Sequence, residues 1–383
     1  MISIMKNIKN IINLIITRNL KDTRNLKDTK IVKDNNNVKN KITNMHRSII
    51  TILGISCAVY LSGCGIKQTD PFTNVDFAMG TVINQTMYAK EDLTDDVLDI
   101  LVDIEDNMLS WRVNSSDVAK INAKAGEGVI DVSDQLKSDL QTAIDIGKNS
   151  DGALDVTIGK LSRLWNIEGE NPTVPKQEDI KELLKDVDYS KLSVTKEGVI
   201  LPQNTSIDLG AVGKGIACDR VKEYFDSKQD VDGAVISVGG SILVYGTKPD
   251  NSSWKVGIID PRGEEGDVFG VLTLTKGCYI STSGDYEKYF IQDGKRYHHI
   301  LDPKTGYPSE SGLISVTIVS DSGIISDGLS TACFVLGYEK SLPLLEKYNV
   351  QAIFVDLDKN VIITDGLKNS FTILKDDYKQ ITQ

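Results

Sequence analysis

An apolar stretch over residues 49–60, opened by Met45-His46-Arg47 and closed by Leu61-Ser62-Gly63-Cys64, divides the chain into an address and a part that can fold. A helix needs about 20 apolar residues to cross a bilayer, so this stretch is too short to span one. A basic start, an apolar middle and small residues before a cleavage point are the parts of an export signal, and residues 45–63 read as a signal peptide. The 44 residues upstream are rich in Asn, Lys and Ile and repeat Thr17-Arg18-Asn19-Leu20-Lys21-Asp22 at once as Thr23-Arg24-Asn25-Leu26-Lys27-Asp28. Such a segment cannot bury a core. Residues 1–44 therefore read as a mispredicted or disordered extension with the true start expected at Met45, the alternative being a long cytoplasmic n-region.

The folding burden falls on what lies downstream. Residues 1–64 hold 11 Lys and Arg against 3 Asp, which leaves 32 against 51 in the remaining 319 residues, a net charge of −19. An acidic body of this kind lacks the clustered cations that nucleic acid requires, and no nucleic-acid partner is expected. Leu61-Ser62-Gly63-Cys64 resembles the bacterial lipobox, whose cysteine becomes the acylated first residue of the exported protein. Cys64 is thus the expected lipidation site, carrying palmitate-type chains, and the expected location is the bacterial cell membrane, facing outside the cytoplasm. Cys57 leaves with the signal. Cys218, Cys278 and Cys333 lack Cys-x-x-Cys spacing and sit among apolar or small neighbours, so they read as core residues rather than a zinc site or disulfide framework.

Residues 64–75 read as a lipidated cysteine and polar tether, and residues 76–375 as one α+β catalytic domain with a helical subdomain near 90–190. Residues 77–88 alternate like a strand, and Thr94 is placed to cap a helix carrying Val97, Leu98, Leu101, Ile104 and Met108 on one face. Further helices are expected over 134–147, 216–225 and 324–336, the last stopped by Gly337. Residues 199–201 and 234–245 read as strands. Residues 286–301 read as a hairpin turning at Asp293-Gly294.

Four constellations carry chemistry. Ile207-Asp208-Leu209-Gly210-Ala211-Val212-Gly213-Lys214-Gly215 leads into a helix, where free amides and the helix dipole favour an anion, though it matches neither the P-loop nor the G-x-G-x-x-G pattern. Asp327 and Thr331, four apart on a helix, share a face and are hard oxygen ligands of the kind Mg²⁺ accepts. His298 and His299 precede Asp302-Pro303; in a strand one enters a site while the other is exposed, and a histidine there is either a proton acceptor or a brace for the turn. Ser281-Thr282-Ser283-Gly284-Asp285-Tyr286 lacks the G-x-S-x-G elbow, so a turn touching ligand is favoured over a serine nucleophile paired with His299.

Taken in order, Met79-Gly80-Thr81, Ser110-Trp111-Arg112 with Asn122, residues 151–159, residues 208–215, Ser237-Val238-Gly239-Gly240, residues 281–286, residues 298–308 and Asp327 with Thr331 resemble the ApbE family of FAD:protein FMN transferases. The resemblance implies a T-fold-related domain that transfers FMN from FAD to a Thr or Ser of another protein as a phosphoester, releasing AMP, with Mg²⁺. It implies FAD contacts at Met79, Trp111, Ala153, Leu154, Asp155, Asp208, Lys214 and Leu301, and metal ligands at the Ala211 carbonyl, Asp327 and Thr331. The base is expected at His299 or a site aspartate such as Asp208. Family acceptors carry a Ser/Thr-Gly-Ala-Thr-like segment, absent here, so the implied partner is a separate exported or membrane-bound redox subunit or lipoprotein. The competing readings are an FAD pyrophosphatase yielding FMN and AMP, and a flavin-capturing lipoprotein.

Overall fold

Strand residues pointing alternately to two faces need two cores, and the central sheet has one on each side. The protein is described here from a computed structural model covering residues 70–381 apart from 229. The signal peptide, Cys64 and the first part of the tether lie outside the described residues. β1 (Phe72–Ala78) and β2 (Thr81–Ala89) pair from Phe72↔Met87 to Ala78↔Thr81, so residues 72–75 of the expected tether are already sheet. Met79 and Gly80 turn this hairpin at φ of 53° and 70°, the left-handed pair that suits the strand twist, and this splits the single strand expected over 77–88.

Then follow α1 (Thr94–Ile104), a π turn (Glu105–Leu109), α2 (Asp117–Ala123), β3 (Val129–Ile130), α3 (Asp134–Asn149), α4 (Gly159–Trp165) and α5 (Gln177–Leu184). β4 (Ser193–Val194) and β5 (Val199–Ile200) join β3 in a small sheet before α6 (Gly213–Ser227). The second half contains β6 (Val231–Val238), β7 (Ser241–Gly246), β8 (Trp254–Ile259), β9 (Val268–Leu274), β10 (Cys278–Gly284), β11 (Tyr289–Gln292) and β12 (Lys295–His298). β13 (Leu313–Ser320), α7 (Gly323–Leu336), α8 (Tyr338–Tyr348), β14 (Gln351–Asp356), β15 (Asn360–Ile363), β16 (Phe371–Ile373) and β17 (Lys379–Gln380) complete the chain. Thr94 does not cap α1 but opens it after the Leu93 cap position, its N–H and hydroxyl donating to Asp92 Oδ1 at 3.0 and 2.7 Å.

The main sheet runs β1-β2-β6-β7-β10-β13-β14-β15-β17, antiparallel except for the last pair. Ala234, Ile236, Val238, Leu243, Val316, Ala352 and Phe354 face the helical layer of α1, α3, α6 and α7. Val244, Ile280, Ile314, Ile353 and Val355 face the three-stranded sheet β8-β9-β16 on the other side. Burying both faces is why these strands read as apolar runs in sequence. The helices between 94 and 149 share the main core rather than forming one of their own. α4 and α5 build a third cluster around Leu161, Trp165, Ile180 and Leu301, pinned by the Trp165 Nε1–H donating to the Gly306 carbonyl at 2.7 Å. The fold also reaches past residue 375, because Tyr378 is buried in the second core. Cys218, Cys278 and Cys333 are free and buried.

α6 and α7 cross where Gly215 meets Gly323. A Cβ on Gly215 would stand 2.1 Å from the Gly323 carbonyl oxygen, and one on Gly323 would stand 2.2 Å from that of Gly215. Neither backbone can yield without parting the helices. Gly215→Ala is therefore expected to destabilise the fold by about 1–3 kcal/mol or more, read as a lowered denaturation midpoint.

Candidate functional site

The two helices bring their N-terminal turns together over the sheet, and a cleft of about 1390 Å³ opens beside them. That is roomier than the roughly 300–1,000 Å³ that holds an ordinary small ligand. Met79 enters from the β1–β2 turn, Trp111 from the loop after the π turn, and Ala153, Leu154 and Asp155 from the loop between α3 and α4. Asp208, Ala211 and Lys214 come from the approach to α6, His299 and Leu301 from the end of β12, and Asp327 and Thr331 from α7. The topology thus brings all of these sequence-derived candidates to one wall system.

Asp327 is the most constrained of them. It is 4% exposed, with Oδ2 accepting from the Gly215 N–H at 2.9 Å and Oδ1 from the Ser241 hydroxyl at 2.9 Å. Burial pushes its pKa up, while the Lys214 charge and these two donors work in the opposite direction. For Lys214, burial pulls the pKa down, but the carboxylates of Glu287 and Asp327 outweigh it and leave the ammonium favoured. Thr331 lies one turn after Asp327, and its hydroxyl is 3.2 Å from that of Ser283. Among the described residues no group of three or more His, Cys, Asp and Glu side chains forms a metal cage. One buried carboxylate, one hydroxyl and the Ala211 carbonyl instead make an all-oxygen set. Mg²⁺ takes few protein ligands and keeps waters or substrate phosphates, so the donor chemistry fits it.

The two histidines divide the work. His298 is buried, not exposed: its Nε2 donates to the Ser309 carbonyl at 3.0 Å, and Nδ1 accepts from the Ile300 N–H at 3.3 Å. The backbone takes both edges because residue 298 ends a strand inside the fold. His299 lines the cleft. Its Nδ1 meets the Lys288 carbonyl at 3.2 Å, and a carbonyl only accepts, so the proton sits on Nδ1 and Nε2 keeps its lone pair. Burial, then the charges of Lys288 and Lys214, push its pKa down to about 3.

Two further carboxylates brace their own loops. Asp208 Oδ1 accepts from the Gly210 N–H at 2.9 Å, and Asn122 fixes the preceding residue by exchanging hydrogen bonds with both backbone groups of Ile207 at 2.9 and 2.7 Å. Asp155 holds its own loop, accepting from the Thr157 N–H and hydroxyl and from the Tyr189 N–H. Ser281 is 1% exposed and bonded to the Ser326 hydroxyl at 2.9 Å, and the Ser283 hydroxyl, in the cleft, meets those of Ser330 and Thr331 at 2.7 and 3.2 Å, so neither serine is paired with His299, whose Nδ1 bonds the Lys288 carbonyl. Trp111 has the guanidinium carbons of Arg112 and Arg163 at 4.2 and 5.2 Å from its ring, a cation–π arrangement on a flat surface.

Sequence reasoning missed Arg163, Glu168, Glu287 and Lys288, which also line the cleft. Arg163 follows Gly159 by one helical turn and Glu287 directly follows residues 281–286, so adjacency to the motifs was the available signal. Glu168 had none; its role as an ion-pair partner of Lys288 at 2.6 Å depends on a loop that only the fold brings near.

Both histidines have folded-state pKa values below the unfolded value. As pH falls below about 6.5 the unfolded chain takes up their protons first, so stability is full above that value and declines towards pH 3. His299→Gln is expected to flatten this acid slope, measured as denaturation midpoints between pH 7.5 and 5.

The profile of the ApbE family matches residues 79–354. An FAD:protein FMN transferase of Treponema pallidum is 31% identical over 343 residues, covering 84% of this chain and 94% of its own length. One from Klebsiella pneumoniae is 33% identical over 316 residues, covering 79% and 95%. Among solved structures, the ApbE protein of Thermotoga maritima aligns with a TM-score of 0.71 at 32% identity, over 79% of this chain and 99% of that one. The Pseudomonas stutzeri flavinyl transferase ApbE, in its apo form, aligns at 0.67 and 30%, over 76% and 93%. The fold order, the cleft and these likenesses agree, and the chain belongs to the ApbE family.

Proposed function

We propose that the protein is an Mg²⁺-dependent flavin transferase that moves FMN from FAD to a Thr or Ser hydroxyl of another exported or membrane-bound protein. The observation that carries this reading is the buried Asp327 carboxylate, held between the Gly215 amide and the Ser241 hydroxyl on one wall of a cleft shared with Lys214, Thr331 and His299.

In the proposed reaction the acceptor oxygen forms a bond to the phosphorus of the FMN half. The bond from that same phosphorus to the bridging oxygen breaks, AMP leaves with the bridging oxygen and that bond's electron pair, and the hydroxyl proton passes to a base. Lys214 would hold the diphosphate by charge, because the amides of Gly210, Val212, Gly213 and Gly215 in the approach to α6 are already taken by Asp208, the Leu209 carbonyl and Asp327. Asp327, Thr331 and the Ala211 carbonyl would hold the metal, which when bound supplies charge neutralisation to the diphosphate. His299 offers Nε2 as the proton acceptor. The depressed pKa of the ligand-free cleft keeps this ring neutral, and an anionic diphosphate nearby raises its basicity. Trp111 presents a stacking surface for one of the two ring systems of FAD.

The test combines the protein, FAD, Mg²⁺ and a peptide carrying Ser-Gly-Ala-Thr, with covalent flavin fluorescence and AMP as the two products. Covalent flavin formed together with AMP supports transfer. AMP with free FMN supports hydrolysis, and bound FAD without AMP supports capture. Asp327→Asn keeps the volume and can still receive the Gly215 amide, so it is expected to fold and to lower metal-dependent transfer by about 100-fold or more. Unchanged transfer would remove Asp327 from the site.

We further propose that acylation of Cys64 anchors the enzyme to the outer face of the cell membrane, supported by the lipobox-like Leu61-Ser62-Gly63-Cys64. Cys64→Ser is expected to move the protein from the membrane to the soluble fraction and to abolish labelling by palmitate.

A further inference from the structure

Four large apolar side chains lie exposed on the cleft lining or next to it along β1. Val75 is 51% exposed, Phe77 40%, Val82 47% and Ile259 41%. Phe77 and Val82 are direct cross-strand partners, and these two with Ile259 also line the cleft, which makes them its outer rim rather than scattered surface residues. Val75 extends the strip along β1, two residues before Phe77 on the same face of the strand.

β1 is also the first strand of the nine-stranded order, and among the described residues only β2 pairs with it. In an antiparallel ladder alternate residues turn both backbone groups towards the partner. The Val75 N–H is instead taken by the Asn74 side-chain oxygen at 3.0 Å, which puts Thr73, Val75 and Phe77 in the set facing away from β2. Apart from the Val75 N–H, which Asn74 caps, the outward groups of this edge are a template for another extended chain. The edge runs straight into Met79, whose N–H donates to Glu105 Oε2 at 2.7 Å and whose side chain stands in the cleft.

We propose that this edge and strip are the docking surface for the protein acceptor: an extended segment adds to β1, sets apolar side chains against Val75, Phe77, Val82 and Ile259, and so delivers its hydroxyl to the cleft beside Met79. The inference rests on the transferase reading for its occupant. Continuity decides the occupant, since a segment lying on this strip is led into the cleft, whereas a partner merely tethering the enzyme has no reason to sit at its mouth. Main-chain pairing supplies affinity that tolerates different acceptor sequences, and the strip sets which side chains flank the hydroxyl.

The test uses two variants with the Ser-Gly-Ala-Thr peptide as probe. Val75→Asp puts a charge into the part of the strip that lies outside the cleft lining, and Thr73→Pro removes an outward N–H at a strand edge, where proline is tolerated. Both are expected to raise the KM for peptide about tenfold, as loss of buried apolar anchors does at protein interfaces, while FAD affinity and kcat at saturating peptide stay within about twofold of the parent. Peptide binding is measured separately by fluorescence anisotropy. If the parent protein binds the peptide and the variants do not, but no covalent flavin forms, the docking surface stands and the transferase reading falls. Should the parent transfer FMN and both variants keep the parental peptide KM and affinity, the docking surface is overturned. A parallel loss of FAD affinity overturns it too, by making the strip a wall of the FAD site.

Discussion

Two aspartates hold the site together by each satisfying the other helix's orphan amides. Asp327 of α7 accepts from the Gly215 N–H in the first turn of α6, and Asp219 of α6 accepts from the Gly323 and Ile324 N–H groups at 2.8 Å each in the first turn of α7. The pairs run in opposite order along the helices, 215 with 327 and 219 with 323, so the helices cross antiparallel. Each first-turn amide group gains a charged acceptor that favours the positive end of the helix dipole. The exchange works only because Gly215 and Gly323 let the backbones touch. One arrangement therefore fixes the helix crossing, the position of Lys214 at the head of α6 and the orientation of the carboxylate proposed to face the metal.

The core of this design was legible in sequence wherever a local rule was strong. The Asp293-Gly294 turn is a hairpin with φ of 52° and 77°, α3 covers the expected 134–147 and buries Leu136 and Leu140, and α7 ends where Gly337 takes a φ of 78°. Most of the candidate site residues converge because they sit in turns or at the ends of regular elements, while Asp327 and Thr331 lie within α7. Asp327 and Thr331 could be placed on one face from helix geometry alone. That Asp327 receives an amide of another helix could not, because its partner is 112 residues away.

What stayed hidden was decided by long-range burial. Nothing local announces that β16 pairs with β9 through Phe371↔Leu272, or that Trp165 reaches the Gly306 carbonyl. The Met79-Gly80 turn was masked by apolar alternation on both sides, since methionine rarely adopts positive φ without external support. Here the Glu105 carboxylate holds the Met79 N–H. Thr94 opens α1 rather than capping it because Asp92, two residues ahead, takes both its amide and its hydroxyl. The 260–266 loop lines the cleft without any motif, and only the sheet order brings it there.

α7 meets β10 through hydroxyls: Ser281 with Ser326, and Ser283 with Ser330 and Thr331. Apolar surfaces tolerate a helix sliding or rolling by a fraction of a turn, whereas paired hydroxyls have a geometry to keep. The seam acts as an index that fixes α7 along its own axis, independently of how well the greasy layers beneath it pack. Stability and alignment are thereby carried by different atoms. A chain that drifts in sequence through its apolar core can lose folding free energy step by step while Asp327 and Thr331 stay aimed at the same point, which leaves the core free to vary and confines the constraint to a few small polar side chains.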